Sequence, residues 1–299
     1  MKKAANRIQR QENRVGWAFV APALITFLVL TAFPFFFSLF LSFTKWNFLS
    51  GWDNIKIIGL KNFTGLLRDR RFIQAVKNTF IYAVTTVPPS ILIALLLAYV
   101  LNGKVKGRNI LRLAFFIPYI CSIVALGAVF KFLFREDGVV NMILTNLHLI
   151  AEPIKWMVEE RFSKIPIILI MIYTAVGYEL IVYMAALQNV PRDLYEAATL
   201  DGAGSFQQFV HVTFPLISPT TFYLVIVRLI AAFKVFSSIN IMSMGSTGLY
   251  NTSMVSEIYD NAFVNYKFGY ASAEAMVLFV IILAITIINF AGQKKWVHY

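Results

Sequence analysis

Glu179 and Arg228 are the residues whose chemistry is most at odds with their surroundings. Each stands inside an apolar run, "IPIILIMIYTAVGYELIVYMAALQ" for the acid and "PLISPTTFYLVIVRLIAAF" for the base. A charge in hydrocarbon costs several kcal/mol on most scales, so such a residue is paired, lines a polar path, or relays protons or sodium. At 1.5 Å per helical residue, Glu179 lies roughly 12 Å and Arg228 roughly 18 Å from the same end of their runs. Their side chains can meet if the runs pack together. Two readings stay open: a bridge that holds a bundle, or part of a substrate path. Lys234, near the far end of its run, and Glu274, at the start of the last run, can snorkel to an interface.

Tyr173, Tyr178, Tyr183, Gln188 and Asn240 lie on or near the same two runs. As a group lining one cavity they offer aromatic faces and hydrogen-bonding groups suited to a sugar, although single aromatics here are mostly packing or interfacial anchors. Other chemistry is thinly represented. No GxxxxGK[ST] phosphate loop occurs, and His148, His211 and His298 are scattered, so neither ATP hydrolysis nor a metal site is assigned to this chain and no bound cofactor is expected. No cluster of His, Asp or Glu suggests an enzyme acting on lipid. Cys121 is the single cysteine, so no internal disulfide can form; inside an apolar run it reads as a small core residue.

A third constellation suggests docking. In "YEAATLDGAGSFQQFVHVTFPLISPT", Pro191 upstream ends the preceding run, Leu194 to Leu200 can form a short helix, and Gly202 and Gly204 supply a turn. Ser205 is expected to cap a second short helix before Pro215. Tyr195, Ala198, Leu200, Phe206, Phe209 and Val210 exceed what a water-exposed loop needs, so a membrane surface or a protein should cover them.

The elements that must position these residues follow from composition. The 299 residues are 59% hydrophobic and 14% charged, with a mean hydropathy of +0.69, which marks an all-α integral membrane protein. A helix needs about twenty apolar residues to span the hydrocarbon. Six stretches qualify: Gly16 to Phe43, Thr79 to Leu101, Ile110 to Phe134, Ile165 to Leu187, Leu216 to Phe236 and Ser272 to Phe290. The first, after Lys2, Lys3, Arg7, Arg10 and Arg14, is too long and lacks the cleavage site of a signal peptide, so it reads as a retained anchor. The net charge of +12 is a basic rim facing anionic lipid, not a nucleic-acid surface. Basic residues concentrate in the N-terminal tail, at Lys104, Lys106, Arg108 and Arg112, and at Lys294 and Lys295. That density puts both termini, and the docking loop, on the cytoplasmic side. Arg68, Arg70 and Arg71 on the opposite side make the pattern uneven. There "NFTGLLRDRRFIQAVKNTF" has the spacing of an amphipathic helix lying at the surface. The expected organisation is residues 1–70 as tail, first span and outer loop, 71–292 as a core with the docking loop at 190–215, and 293–299 as a short tail.

Glu196-Ala197-Ala198, then Gly202 and Val212-Thr213-Phe214-Pro215, resembles the EAA motif of the membrane subunits of binding-protein-dependent ABC importers. Tyr195 to Ala203, with Asp201, Gly202 and Ala203, and Pro215 with Pro219, resembles the form found in sugar importers. "VAPALITFLVLTAFPFFFSLFLSFTKWN" and "FGYASAEAMVLFVIILAIT" are similar to the first and last spans of MalF-like and UgpA-like permeases. The resemblance implies a type I importer fold, a homologous MalG-like partner permease, and two ATP-binding subunits that hold ATP and Mg and receive the EAA loop. It also implies an extracytoplasmic solute-binding protein and a sugar or oligosaccharide cargo, with glycerol phosphate or another polyol as the alternative. An ion-coupled secondary transporter is a further reading, with Glu179 as its relay. Phe236-Ser237 and "MGSTGLYNTS" depart from the Phe-Asp and Gly-Gly-Pro of many relatives, which leaves the outer gate less defined.

Overall fold

The computed structural model describes residues 2–103, 105–243, 248–294 and 296–297; for residues 2–12 and 14 only the backbone is described. Lys104, Lys295, His298, the "MGST" at 244–247 and the basic side chains of the N-terminal tail therefore lie outside the described residues. Among the described residues the regular structure is helical apart from one two-residue strand pair. In order the elements are α1 (Lys2–Phe27), α2 (Phe33–Ser42), β1 (Thr44–Lys45), β2 (Lys56–Ile57), α3 (Lys61–Leu66), α4 (Arg70–Asn102), α5 (Arg108–Ile120), α6 (Ile123–Leu133) and α7 (Val139–Asn146). After these come α8 (Ile165–Gln188), α9 (Arg192–Leu200), α10 (Ser205–Gln208), α11 (Phe214–Phe233), α12 (Ser237–Met242), α13 (Met254–Tyr259) and α14 (Phe268–Gln293). Among the described residues five continuous helices are long and apolar enough to cross a bilayer: Val15–Ser42, α4, α8, Ser205–Phe233 and α14.

The expected third span is not one straight helix. α5 and α6 meet at an angle of 99°. Pro118 weakens the last turn of α5, Cys121 is extended, and the Ser122 hydroxyl accepts the Val124 N–H to start α6. At 13 and 11 residues, about 20 and 17 Å, neither half alone crosses a core of about 30 Å. Cys121 is exposed at this break, not buried as a core residue. The amphipathic stretch after Lys61 is also divided. Asp69 accepts the N–H groups of Arg71 and Phe72, which ends α3 and starts α4. The remainder of that stretch is the first turns of a 33-residue span, not a surface helix.

Two compact units are resolved by packing, residues 1–65 with 260–276, and residues 66–259 with 277–299. In the first, the buried Trp46 ring meets Trp52, Phe48 and Phe268. The Asn62 amide donates to the carbonyls of Ser42, Thr44 and Gly269, and Gly269 leaves no room for a Cβ against the Thr44 carbonyl. Glu274 is fully buried and accepts from Asn261, so it does not snorkel.

In the second unit α4, α8 and α11 form the core, and α5 lies along α8. The approach of α5 is set by Gly177, where an added Cβ would stand 2.5 Å from the Phe115 carbonyl. Residues 248–253, ahead of α13, are irregular backbone, and irregular backbone at membrane depth must be satisfied by protein. α4 does this. The Asn78 amide donates to the carbonyls of Leu249 and Thr252, Tyr82 Oη to that of Asn251, and Thr79 Oγ1 receives the Met254 N–H. Glu257 accepts Arg71 Nε and Thr252 Oγ1, both at 2.7 Å. Gly177→Ala should force α5 off α8 and destabilise by about 1–3 kcal/mol. The measurement is thermal unfolding in detergent, with Gly292→Ala, where nothing lies within 4 Å, as the neutral control.

Candidate functional site

The docking loop is a helical hairpin whose turn is closed by its own backbone. Asp201 is the C-cap of α9, Gly202 N–H bonds the Thr199 carbonyl and Ala203 N–H bonds the Ala198 carbonyl at 2.9 Å. This is the Schellman pattern, which requires a left-handed residue after the cap, and Gly202 has φ +78°. Nothing within the chain approaches a Cβ placed there, so the requirement is conformational and not one of space. The second helix is capped by Gly204, not by Ser205, which is its first residue: Gln207 Oε1 accepts the Gly204 N–H.

Nor does that helix stop before Pro215. α10 passes through a π turn at Phe209–Thr213 into α11, so that Ser205–Phe233 is one uninterrupted helix. Proline removes an N–H from the ladder, and the wider π turn takes up the mismatch. The same device recurs at Leu28–Ala32 ahead of Pro34. Side chains then lock the hairpin: Tyr195 Oη lies 2.9 Å from Thr213 Oγ1, and Gln208 Nε2 donates to Thr199 Oγ1 and the Ala203 carbonyl. Thr213 is fully buried, whereas Leu200 is 89% and Phe206 78% exposed. Glu196, Ala197 and Asp201 are exposed beside them, and Ala198, Ala203 and Pro215 are half-buried.

Inside the bundle Glu179 and Arg228 do meet. Arg228 Nε lies 2.9 Å from Glu179 Oε1, and Ser90 Oγ of α4 donates to the same oxygen at 3.0 Å, so three helices converge on one carboxylate. The contact is ionic without hydrogen-bond alignment: Arg228 Nε and Glu179 Oε2 are both buried without a hydrogen-bond partner. Arg228 also borders a cavity of roughly 210 Å³ with Thr174, Lys234, Ser237 and Ser238. Lys234 is exposed, as a snorkelling residue should be.

The sequence-selected aromatic group is dispersed around this pair. Tyr178 stacks on Tyr119 and shares a 3.0 Å hydrogen bond with Tyr223. Tyr183 is a buried core residue bonded to Thr221. Tyr173 packs on Phe130, Gln188 is exposed at the end of α8, and Asn240 sits on α12. None of these five lines the cavity beside Arg228. Ser90, Tyr119, Tyr223, Thr199 and Gln208 were not selected from sequence. Hydroxyls and amides in helices carry no signal until their partners on other elements are known. Removing one member of the ion pair leaves the other charge uncompensated, so Glu179→Gln or Arg228→Met alone should cost about 3–5 kcal/mol. The pair replaced together should cost much less than the sum, which a double-mutant cycle of thermal unfolding in detergent measures.

Comparison with known proteins agrees with this geometry. Residues 63–296 match the family described as the binding-protein-dependent transport system inner membrane component. The chain is 35% identical to the probable ABC transporter permease protein YesP of Bacillus subtilis, covering all of this chain and 96% of that one. It is 34% identical to the lactose transport system permease protein LacF of Rhizobium radiobacter, over 95% and 94% of the two chains. A solved bacterial ABC transporter involved in the import of the acidic polysaccharide alginate superposes with a TM-score of 0.79 at 25% identity, over 97% of this chain and 99% of that one. The chain belongs to the family of inner membrane components of binding-protein-dependent transport systems, the multi-pass permease subunits of ABC importers, in which ATP hydrolysis resides in separate subunits.

Proposed function

We propose that this subunit forms half of the translocation pathway for a sugar or oligosaccharide, and that the α9–α10 hairpin is the surface on which an ATP-binding subunit acts. The observation that carries this reading is the contrast within the hairpin. Its interior is fixed by a Schellman turn and by Tyr195, Thr199, Gln208 and Thr213, while Leu200 and Phe206 stand in the open. A rigid element that presents apolar side chains is built to be covered by a protein groove. Glu196 at its rim suits a basic residue of that groove.

In the complete importer a homologous MalG-like permease supplies the second half of the path, two ATP-binding subunits hold ATP and Mg, and an extracytoplasmic binding protein delivers the cargo. Both termini and the hairpin then face the cytoplasm, in keeping with the basic residues near the ends of the spans. A sugar cargo is supported by the likeness to the lactose permease and to the alginate importer. Glycerol phosphate or another anionic polyol is the second reading, favoured by Arg228 and Lys234 on one cavity. A proton relay through Glu179 is disfavoured, because Arg228 and Ser90 already engage that carboxylate.

Leu200→Asp with Glu196→Lys leaves the internal bonds of the hairpin untouched. It should stop the ATPase from co-purifying and lower binding-protein-dependent sugar uptake in proteoliposomes by at least about tenfold, the equivalent of about 1.4 kcal/mol. Unchanged co-purification and uptake would refute the docking role. Gly202→Val forces a β-branched residue into left-handed backbone and should have the same direction of effect through the turn itself.

A further inference from the structure

A second, larger cavity of roughly 620 Å³ lies in the unit formed by residues 66–259 and 277–299, within the size range of small-molecule sites, about 300–1,000 Å³. It opens among loops at the start of α8, whereas the hairpin follows the other end of that helix, 24 residues or about 36 Å away. Its lining carries the cations Lys131, Arg135 and Lys155 and one acid, Glu136, with Trp156, Tyr250 and Asn251.

Three features mark it as a built site. Asn251 is 5% exposed, yet its Oδ1 has no hydrogen-bond partner, an expensive arrangement unless something fills it. Lys131, in the last turn of α6, is half-buried and has no acid paired with it among the described residues, whereas Arg135 is held by Asp137 at 2.9 Å. The wall is pre-organised by Asn141, whose amide donates to the carbonyls of Arg135, Glu136 and Ile154 and whose oxygen accepts the Ile154 N–H and the Trp156 indole N–H. Asn141 thereby fixes the two backbone segments that carry Arg135 and Trp156. Tyr250, 40% exposed, offers a ring at the mouth.

The unmet needs are specific. Asn251 Oδ1 lacks a donor such as a hydroxyl, Lys131 lacks an anionic oxygen, and the ring lacks an apolar face to cover. We propose that this cavity is a binding subsite, on the side away from the ATPase hairpin, for a saccharide that carries a carboxylate. The assignment rests on the sugar-importer reading and narrows it to acidic saccharides. The same pairing of hydroxyl and anionic oxygen occurs in a phosphatidylglycerol headgroup. The saccharide is preferred because the cavity is bounded by loop residues 155–158 and 248–251 and not by helix flanks alone.

The test is equilibrium binding of a labelled 1,4-linked uronic acid trimer, and of the neutral glucose trimer with the same linkage position, to the complete importer in phosphatidylcholine nanodiscs. The acidic trimer should bind more tightly than the neutral one. Lys131→Gln and the isosteric Asn251→Asp should each weaken it about tenfold, and Lys131→Arg should largely restore it. Melting temperatures within the scatter of the parent complex confirm that the variants fold. Equal binding of both trimers, or no loss in either variant, would overturn the proposal. So would binding abolished by adding phosphatidylglycerol, which would identify the headgroup as the occupant. Stimulation of the ATPase by neutral saccharides with no effect of these variants would remove the subsite and leave the sugar-importer reading standing. Failure of every saccharide to stimulate the ATPase would remove both.

Discussion

In hydrocarbon no water is available to satisfy a peptide group, and this constraint accounts for departures from plain helix within the spans. Where the chain leaves helical geometry at residues 248–253, the Asn78, Thr79 and Tyr82 side chains of α4 supply the bonds that water would supply elsewhere. Ahead of Pro34 and Pro215, π turns at Leu28–Ala32 and Phe209–Thr213 take up the mismatch and keep those two helices continuous. The Glu179 carboxylate is tolerated because Arg228 and Ser90 come to it from two other helices. The polar residues of the spans are therefore mostly structural. Their placement decides which parts can move as rigid bodies.

That reasoning gives the hairpin its mechanical meaning. Because α10 runs without interruption into α11, force applied at Leu200 and Phe206 has a rigid path to Arg228, fourteen residues beyond Phe214. A flexible linker would absorb a displacement of the ATPase, whereas a helix locked to α9 by Tyr195–Thr213 and Gln208–Thr199 transmits it. The ion pair at its far end joins α11 to α8, and Ser90 joins α8 to α4, so the three core helices are tied to one another. Alternating access by rocking of rigid bundles is the motion such a construction permits.

Much of this was legible in the sequence, for identifiable reasons. Runs such as Ile165 to Leu187 have no other stable fate in a bilayer, and Gly202 after a short helix marks a left-handed cap. That Glu179 and Arg228 could reach each other followed from counting residues along two runs; that they pair did not. The bend at Cys121–Ser122 was not legible, since an apolar run reads the same straight or folded and Pro118 alone does not distinguish them. Glu274 looked like an interfacial acid because its partner Asn261 belongs to a short π turn, Asp260–Val264, with no sequence signature. Likewise Asn78 and Asn141 read as ordinary helix residues, although each anchors a distant loop through its amide.

The claim that a continuous helix carries the coupling is tested by inserting three glycines after Gln208 and measuring both ATPase co-purification and sugar uptake in proteoliposomes. The hairpin face that carries Leu200 and Phe206 lies before the insertion. The account predicts that the ATPase still binds while uptake falls to the level seen without ATP. Uptake that survives the insertion at its original rate would show that the motion reaches the spans by another route.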